Sequence, residues 1–181
     1  MKVAYYPGCS LRGTARDYAA SLEAVCESLG IELAELDGWS CCGATAAHSV
    51  DFRGSIHLAG RNLALAEKGG LENLVVPCPL CFNRLKTAEK ELLSERRHAY
   101  EVALAGNRVQ IWDLANFLAG EPILEIIRER AVQALQGIKA VCYYGCMASR
   151  PPGITGEADY ENPMSMDRIV EALGAEGLPW S

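Results

Sequence analysis

The chain has 181 residues, half of them hydrophobic, which is enough for one core and roughly one domain. Its formal net charge of −6 and its pI near 5.1 argue against a nucleic-acid partner, because nucleic-acid-binding surfaces are basic. No apolar run approaches the roughly 20 residues of a membrane span, and the opening MKVAYYPG is typical of a strand rather than a signal peptide. We therefore expect a cytoplasmic protein with no membrane span.

Short apolar runs alternate with helical patterns along the chain. Strands are predicted at residues 2–6, 31–36, 71–77 and 138–144. Helices are predicted around Leu22, Val25, Cys26 and Leu29, around Ile56, Ala59, Leu63 and Ala66 up to Gly69-Gly70, from about Pro79, and over 111–119 and 122–136. This alternation predicts an α/β fold, in which helices flank a parallel sheet on both faces with Rossmann-like layering.

The chain contains eight cysteines, at positions 9, 26, 41, 42, 78, 81, 142 and 146. Structural disulfides are uncommon in the cytosol, so the count favours metal or redox chemistry. Cys9, the Cys41-Cys42 pair and the Cys78/Cys81 motif each follow a predicted strand. Because parallel sheets bind ligands at the carboxyl ends of their strands, we expect these five cysteines to meet at one edge. Cys26 lies on the apolar stripe of a helix and is predicted to be buried.

The spacing of these five cysteines leaves three kinds of site open. An iron–sulfur cluster suits thiolate ligands, and the start of a helix at Pro79 favours a negatively charged group. A structural zinc ion would need only four of the five cysteines and usually has two close CxxC motifs, whereas this chain has one. A dithiol redox motif fits "VVPCPLCFNRL", a strand, a CxxC and a helix, but gives the other three cysteines no role.

The sequence also repeats itself. "VAYYPGCSLR" at 3–12 is similar to "VCYYGCMASR" at 141–150, which makes Cys146 the counterpart of Cys9 and aligns Cys142 with a position inside a strand. "GWS" precedes the Cys41-Cys42 pair, and "LPWS" stands at 178–181. We therefore expect the chain to be a fragment that stops before a second cysteine pair, with Cys146 an orphan ligand of a second site.

The spacing of the cysteines and the sequence segments around them resemble those of one family. The pattern is a lone Cys, 31 residues, a Cys pair, 35 residues and a CxxC. It occurs within "YYPGC", "WSCCGA", "PCPLCFNRLKTA" and "YYGCMASRPP". It is similar to the CCG, or cysteine-rich, domain of the B-type subunit of heterodisulfide reductase, in a wider group with glycolate oxidase, lactate-utilisation and succinate dehydrogenase relatives. Residues 1–136 would form a first CCG domain, and 137–181 would begin a second, truncated one.

This resemblance implies a function. Members hold a non-cubane 4Fe–4S cluster, whose ligands here would be Cys9, Cys41, Cys42, Cys78 and Cys81. They reduce a disulfide between two thiol coenzymes, such as coenzyme M and coenzyme B, with electrons from an iron–sulfur subunit and a flavin subunit. With the second site incomplete, we expect no disulfide reductase turnover from these 181 residues alone.

Two other functions stay open at this point. One is an electron-transfer iron–sulfur subunit of a flavin-linked dehydrogenase, of the glycolate, lactate or succinate oxidase type. The other is an interaction module stabilised by zinc, the less favoured occupant of the site.

Overall fold

The structure is a computed structural model that describes residues 1–44, 46–106, 109–131 and 135–179. Its internal contacts divide the chain into two units, Met1–Asp113 and Leu114–Ser181. Each unit is described by itself below. Among the described residues, no helix has both the length and the apolar character needed to cross a bilayer.

Four parallel strands form the sheet of the first unit. They are β1 (Lys2–Tyr5), β2 (Glu32–Glu35), β3 (Asn73–Val76) and β4 (Gln110–Asp113). The strand order is β2-β1-β3-β4, with Ala4 level with Leu74 and Leu74 level with Ile111. The predicted α/β class and parallel sheet are therefore confirmed.

Helices connect these strands. The connections contain α1 (Gly8–Arg12) and α2 (Arg16–Ser28), then α3 (Ala47–Val50) and α4 (Phe52–Gly69), then α5 (Pro79–Leu93) and a 3₁₀ helix (Glu95–Ala99). As the sequence predicts, α4 ends at the pair Gly69-Gly70 and α5 begins at Pro79. Gly70 caps α4 with a φ of +72°, which suits a residue without a Cβ.

The main core lies between one face of this sheet and the helices α4 and α5. The strands contribute Ala4, Leu74, Val76 and Ile111, and Tyr6 follows directly after β1. The helices contribute Ile56, Ala59, Leu63, Ala66, Phe82, Leu85 and Ala88. The alternate strand residues Val3, Tyr5 and Val75 face the other way and are also buried. Burial on both faces explains why the strands are continuous apolar runs rather than alternating ones.

Helix α2 covers part of the second face. Leu22 and Cys26 are buried there, so the expected burial of Cys26 is confirmed. Val25, predicted on the same stripe, is instead 41% exposed. The apolar stripe of α2 that packs against the sheet is therefore narrower than the sequence pattern indicated.

The strand order creates a switch point between β1 and β3. The chain leaves β1 toward β2 on one side and returns to pair β3 on the other side of β1. At such a point the loops leaving the two strands diverge and open a crevice at their carboxyl ends. The loops after β1, β2 and β3 all begin at this edge.

The second unit has a separate sheet of two parallel strands, β5 (Lys139–Val141) and β6 (Glu176–Leu178). Its helices are α6 (Leu114–Leu118), α7 (Glu121–Arg130), α8 (Cys146–Ser149), α9 (Pro152–Thr155) and α10 (Ser165–Ala172). The division between the two units does not test the predicted CCG boundary at residue 136, which stays a prediction.

Two predicted helices need correction, and parts of two predictions lie outside the described residues. The helix predicted over 111–119 is wrong in its first part, because residues 110–113 pair with β3 and only Leu114–Leu118 is helical. The helix predicted over 122–136 ends at Arg130, and residues 132–134 lie outside the described part of the chain. The last two residues of "LPWS" lie outside it too.

Candidate metal centre

Three loops bring five cysteines to the carboxyl edge of the sheet. Cys9 is the second residue of α1, just after β1, and Cys41 and Cys42 lie in the loop after β2. Cys78 caps the N-terminus of α5 after β3, and Cys81 lies in the first turn of that helix. The switch point thus has cysteines on both of its sides.

The sulfur atoms make contacts across these loops. The thiols of Cys42 and Cys81 share a hydrogen bond, with their Sγ atoms 3.3 Å apart. Cys81 also hydrogen-bonds with Cys78, and Cys9 with Cys41. Residues from distant parts of the sequence therefore form one site, with each thiol in contact with another.

The five thiols differ in exposure. Cys42 and Cys81 are 1% and 2% exposed, Cys78 is half-buried, and Cys9 and Cys41 are exposed. The adjacent pair thus points one thiol into the interior and the other toward solvent. We call Cys42 and Cys81 the buried floor of the site, and Cys9 and Cys41 its open rim. The floor would shield a bound group from water, and the rim would leave it accessible.

Hydrogen bonds and the helix terminus bias the protonation of the site. The Cys81 thiol lowers the pKa of Cys42 to about 7 and that of Cys78 to about 6, although burial opposes both changes. The backbone N–H groups of Cys81 and Leu80, at the start of α5, lower the pKa of Cys78 further. Cys81 itself keeps its proton, since both hydrogen bonds and burial raise its pKa.

Close packing at the floor requires glycine at position 8. Gly8 has a φ of +66°, and a Cβ there would lie 2.9 Å from the Cys81 sulfur. Gly43, after the cysteine pair, has a φ of +75°, and its Cβ would lie 3.0 Å from that of Ala47. Glycine therefore lets the backbone approach where a side chain would displace a thiol or the loop beside it.

The loop that carries the cysteine pair is clamped from two sides. Asn62 of α4 accepts a hydrogen bond from the Ser40 N–H (2.9 Å) and donates one to the Ser40 carbonyl (3.0 Å). The Tyr6 hydroxyl donates to the same carbonyl at 2.7 Å, and its ring meets Trp39 edge-on. Burial, followed by the nearby Cys42 sulfur, raises the pKa of Tyr6. Sequence reasoning missed Asn62, since a polar residue on an apolar helix face gives no sign of its partner.

Comparison with known proteins matches this region to a family. Residues 3–86, which include all five cysteines, match the CCG family, described as a cysteine-rich domain. The first unit contains a CCG domain. The predicted resemblance is confirmed by relatives named as components of heterodisulfide reductase.

Three curated relatives align with nearly the whole chain. The 8-methylmenaquinol:fumarate reductase membrane anchor subunit of Wolinella succinogenes is 34% identical over 98% of the chain. A protein of Archaeoglobus profundus named as similar to the B-type subunit of heterodisulfide reductase is 32% identical over 97%. The B-type subunit of the ferredoxin:CoB-CoM heterodisulfide reductase of Methanosarcina acetivorans is 28% identical over 97%. The chain spans 63%, 62% and 58% of their respective lengths.

The residues of the CCG domain fit a sulfur-rich group that joins several thiols. Within the described ranges, no three His, Cys, Asp or Glu side chains are arranged to hold one metal ion. A cluster has several irons, so its thiolate ligands need not converge on a single atom. Two further features suit a cluster: the close backbone at Gly8, and the Ser40 hydroxyl, which is buried and has no hydrogen-bond partner among the described residues.

The remaining cysteines lie elsewhere. Cys26 is buried in α2, where burial raises its pKa to about 11. In the second unit, Cys142 and the exposed Cys146 line a cavity of about 430 Å³. Cys142 was predicted to lie inside a strand, which is wrong, because β5 ends at the residue before it. Its half-buried thiol hydrogen-bonds with Asp167, and burial raises its pKa.

Proposed function

We propose that the CCG domain binds a non-cubane 4Fe–4S cluster through Cys9, Cys41, Cys42, Cys78 and Cys81. The observation that carries this proposal is the meeting of five thiols, from three separate loops, at the switch point of a parallel sheet. Thiolates are the usual protein ligands of such clusters, and two of these thiols already have lowered pKa values.

Each part of the site would have its own task. Cys42 and Cys81 would hold the cluster from the buried floor, where water is excluded, and Cys9 and Cys41 would hold its outer side. The N-terminus of α5 would offset negative charge through its backbone N–H groups. The cluster would supply one-electron redox chemistry and iron as a Lewis acid for a departing thiolate.

The wider protein would act as the catalytic subunit of a heterodisulfide-reductase-like oxidoreductase. Its substrate would be a disulfide of two thiol coenzymes, such as CoM-S-S-CoB, and its partners an iron–sulfur subunit and a flavin subunit. The relatives named after the B-type subunit of heterodisulfide reductase support this proposal. Cys146 would belong to a second cluster site, and a reducing compartment such as the cytoplasm would keep the free thiols reduced.

Quantification of iron and acid-labile sulfide in anaerobically purified protein tests the cluster. We expect about four irons and about four sulfides per chain. Cys42→Ala and Cys81→Ala should lose most of both, whereas Cys26→Ala, which removes an equally buried thiol outside the site, should retain them. Zinc bound without sulfide would refute the cluster and support the zinc-stabilised module.

A second function is favoured by the fumarate reductase relative, which is 34% identical to this chain. Here the domain would be an electron relay of a flavin-linked enzyme, and no substrate would reach the iron. The EPR signal of the reduced cluster, recorded with and without a thiol coenzyme in a protein carrying both cysteine sites, separates the two. A thiol-dependent change supports the reductase, and an unchanged signal supports the relay.

A further inference from the structure

Ser40 stands immediately before the cysteine pair and has an unusual hydroxyl. Its Oγ atom is shielded from solvent and has no hydrogen-bond partner among the described residues. Buried hydroxyl groups are nearly always hydrogen-bonded in native proteins, so an unpartnered one needs a physical reason. Removal of the hydroxyl from water is unfavourable unless an acceptor replaces the lost water.

The backbone of Ser40 is held by hydrogen bonds in which its hydroxyl takes no part. Asn62, which is fully buried, bonds both the N–H and the carbonyl of Ser40, and the Tyr6 hydroxyl bonds the carbonyl as well. These three bonds use the backbone groups of Ser40 and leave its side chain out of the clamp. The clamp therefore fixes the backbone of Ser40, immediately before the Cys41-Cys42 pair in the chain.

The two residues that follow Ser40 in the chain both carry sulfur. The chain turns directly from Ser40 into Cys41 and Cys42, and the Cys42 sulfur lies on the buried floor. Anionic sulfur, whether a thiolate or an inorganic sulfide, accepts hydrogen bonds and becomes a better acceptor as its negative charge grows.

We propose that the Ser40 hydroxyl donates a hydrogen bond to a sulfur atom of the cluster held by the cysteine pair and thereby raises its reduction potential. This inference rests on the proposed cluster. Reduction adds an electron to the cluster, and the hydrogen bond stabilises the more negative form more than the oxidised form. Asn62 and Tyr6 act as positioning residues, because they hold the Ser40 backbone and not the cluster.

A redox titration of the anaerobic protein, followed by EPR, tests the proposal. Ser40→Ala should shift the midpoint potential of the cluster to a more negative value at unchanged iron and sulfide content. Ser40→Thr, which keeps the hydroxyl, should have a midpoint potential close to that of the wild type. Ser49→Ala removes an exposed hydroxyl from a residue beyond the pair and should leave the potential unchanged.

The unfolding of cluster-free protein provides a second measurement. In cluster-free protein the buried hydroxyl has no acceptor and is destabilising, so Ser40→Ala should unfold at a urea concentration no lower than that of the wild type. A midpoint potential that Ser40→Ala leaves unchanged, with iron and sulfide intact, would overturn this inference alone. Wild-type protein that binds no iron and sulfide would overturn the proposed cluster instead.

Discussion

At the scale of single residues, the two adjacent cysteines have opposite environments. Cys42 is buried against Cys81, whereas Cys41 is exposed and hydrogen-bonds with Cys9. The same loop therefore supplies one thiol to the floor and a second thiol to the rim. This division explains why adjacent thiols, which leave the backbone on different sides, suit a site with several metal atoms better than a hydrophobic core.

Substitution of Gly8 should damage the site more than its backbone conformation alone would predict. Gly8→Ala places a Cβ 2.9 Å from the Cys81 sulfur in addition to the strain of a positive φ. We expect the free energy of unfolding to fall by more than about 2 kcal/mol, and the iron content to drop, in urea unfolding and iron assays.

Gly30 provides a matched control for this variant. It has a similar φ of +71°, but a Cβ there would meet no atom within 4 Å. Gly30→Ala should therefore cost only the backbone strain, about 1 kcal/mol, and keep its iron. Equal losses of iron in the two variants would show that the Gly8 contact with Cys81 has no special role.

The buried Cys26 should make stability depend on alkaline pH. Burial raises its pKa in the folded protein from 9.0 to about 11, so the stabilising contribution is complete below pH 9 and is lost as the pH rises through 11. Between these limits the wild type should lose about 2 kcal/mol more stability than Cys26→Ala, measured by urea unfolding. Parallel losses in the two proteins would contradict this assignment.

The sequence predicted some of these residues and not others. The five site cysteines and the buried Cys26 follow from strand positions and helix periodicity, which are local signals. Ser40 and Asn62 do not, because 22 positions separate them and only the tertiary fold shows that their polar groups meet.

At the scale of elements, two short strands escaped prediction. β4 reads as part of a helix, since its apolar residues Ile111 and Trp112 continue into the helical Leu114 and Phe117. Its strand geometry comes from pairing with β3, whose register places Leu74 opposite Ile111. β6 is only three residues long. Both depend on tertiary pairing, which local patterns do not record.

Helix α4 should stabilise the cysteine loop through Asn62. Asn62→Ala removes two hydrogen bonds to Ser40 and a third to the Leu58 carbonyl. It leaves the part-buried N–H of Ser40 without its acceptor, so we expect a loss of about 2 kcal/mol in the free energy of unfolding. Hydrogen exchange measured by NMR should show a faster Ser40 amide, while the amide of Val75 in the central strand β3 stays slow. An unchanged exchange rate at Ser40 would refute the clamp.

At the scale of the whole molecule, the two units share a local arrangement. The strand β1 leads to a helix with Cys9, and β5 leads to a helix that begins at Cys146, as the internal repeat predicts. Each repeat also has a buried or half-buried tyrosine that holds a later segment: Tyr6 donates to the Ser40 carbonyl, and Tyr144 donates to the Asp167 carboxylate. The assignment of the second repeat to a CCG domain, with a boundary at residue 136, stays a prediction.

The central claim is that five thiols of the first unit hold one cluster of several irons. Mössbauer spectroscopy of protein enriched in iron-57 and purified without oxygen tests it most directly, because it reports the ligands and the coupling of every iron. We predict coupled irons in tetrahedral sulfur coordination, retained in Cys146→Ala and lost in Cys42→Ala. A spectrum of isolated iron ions, or one that Cys42→Ala leaves unchanged, would contradict the claim.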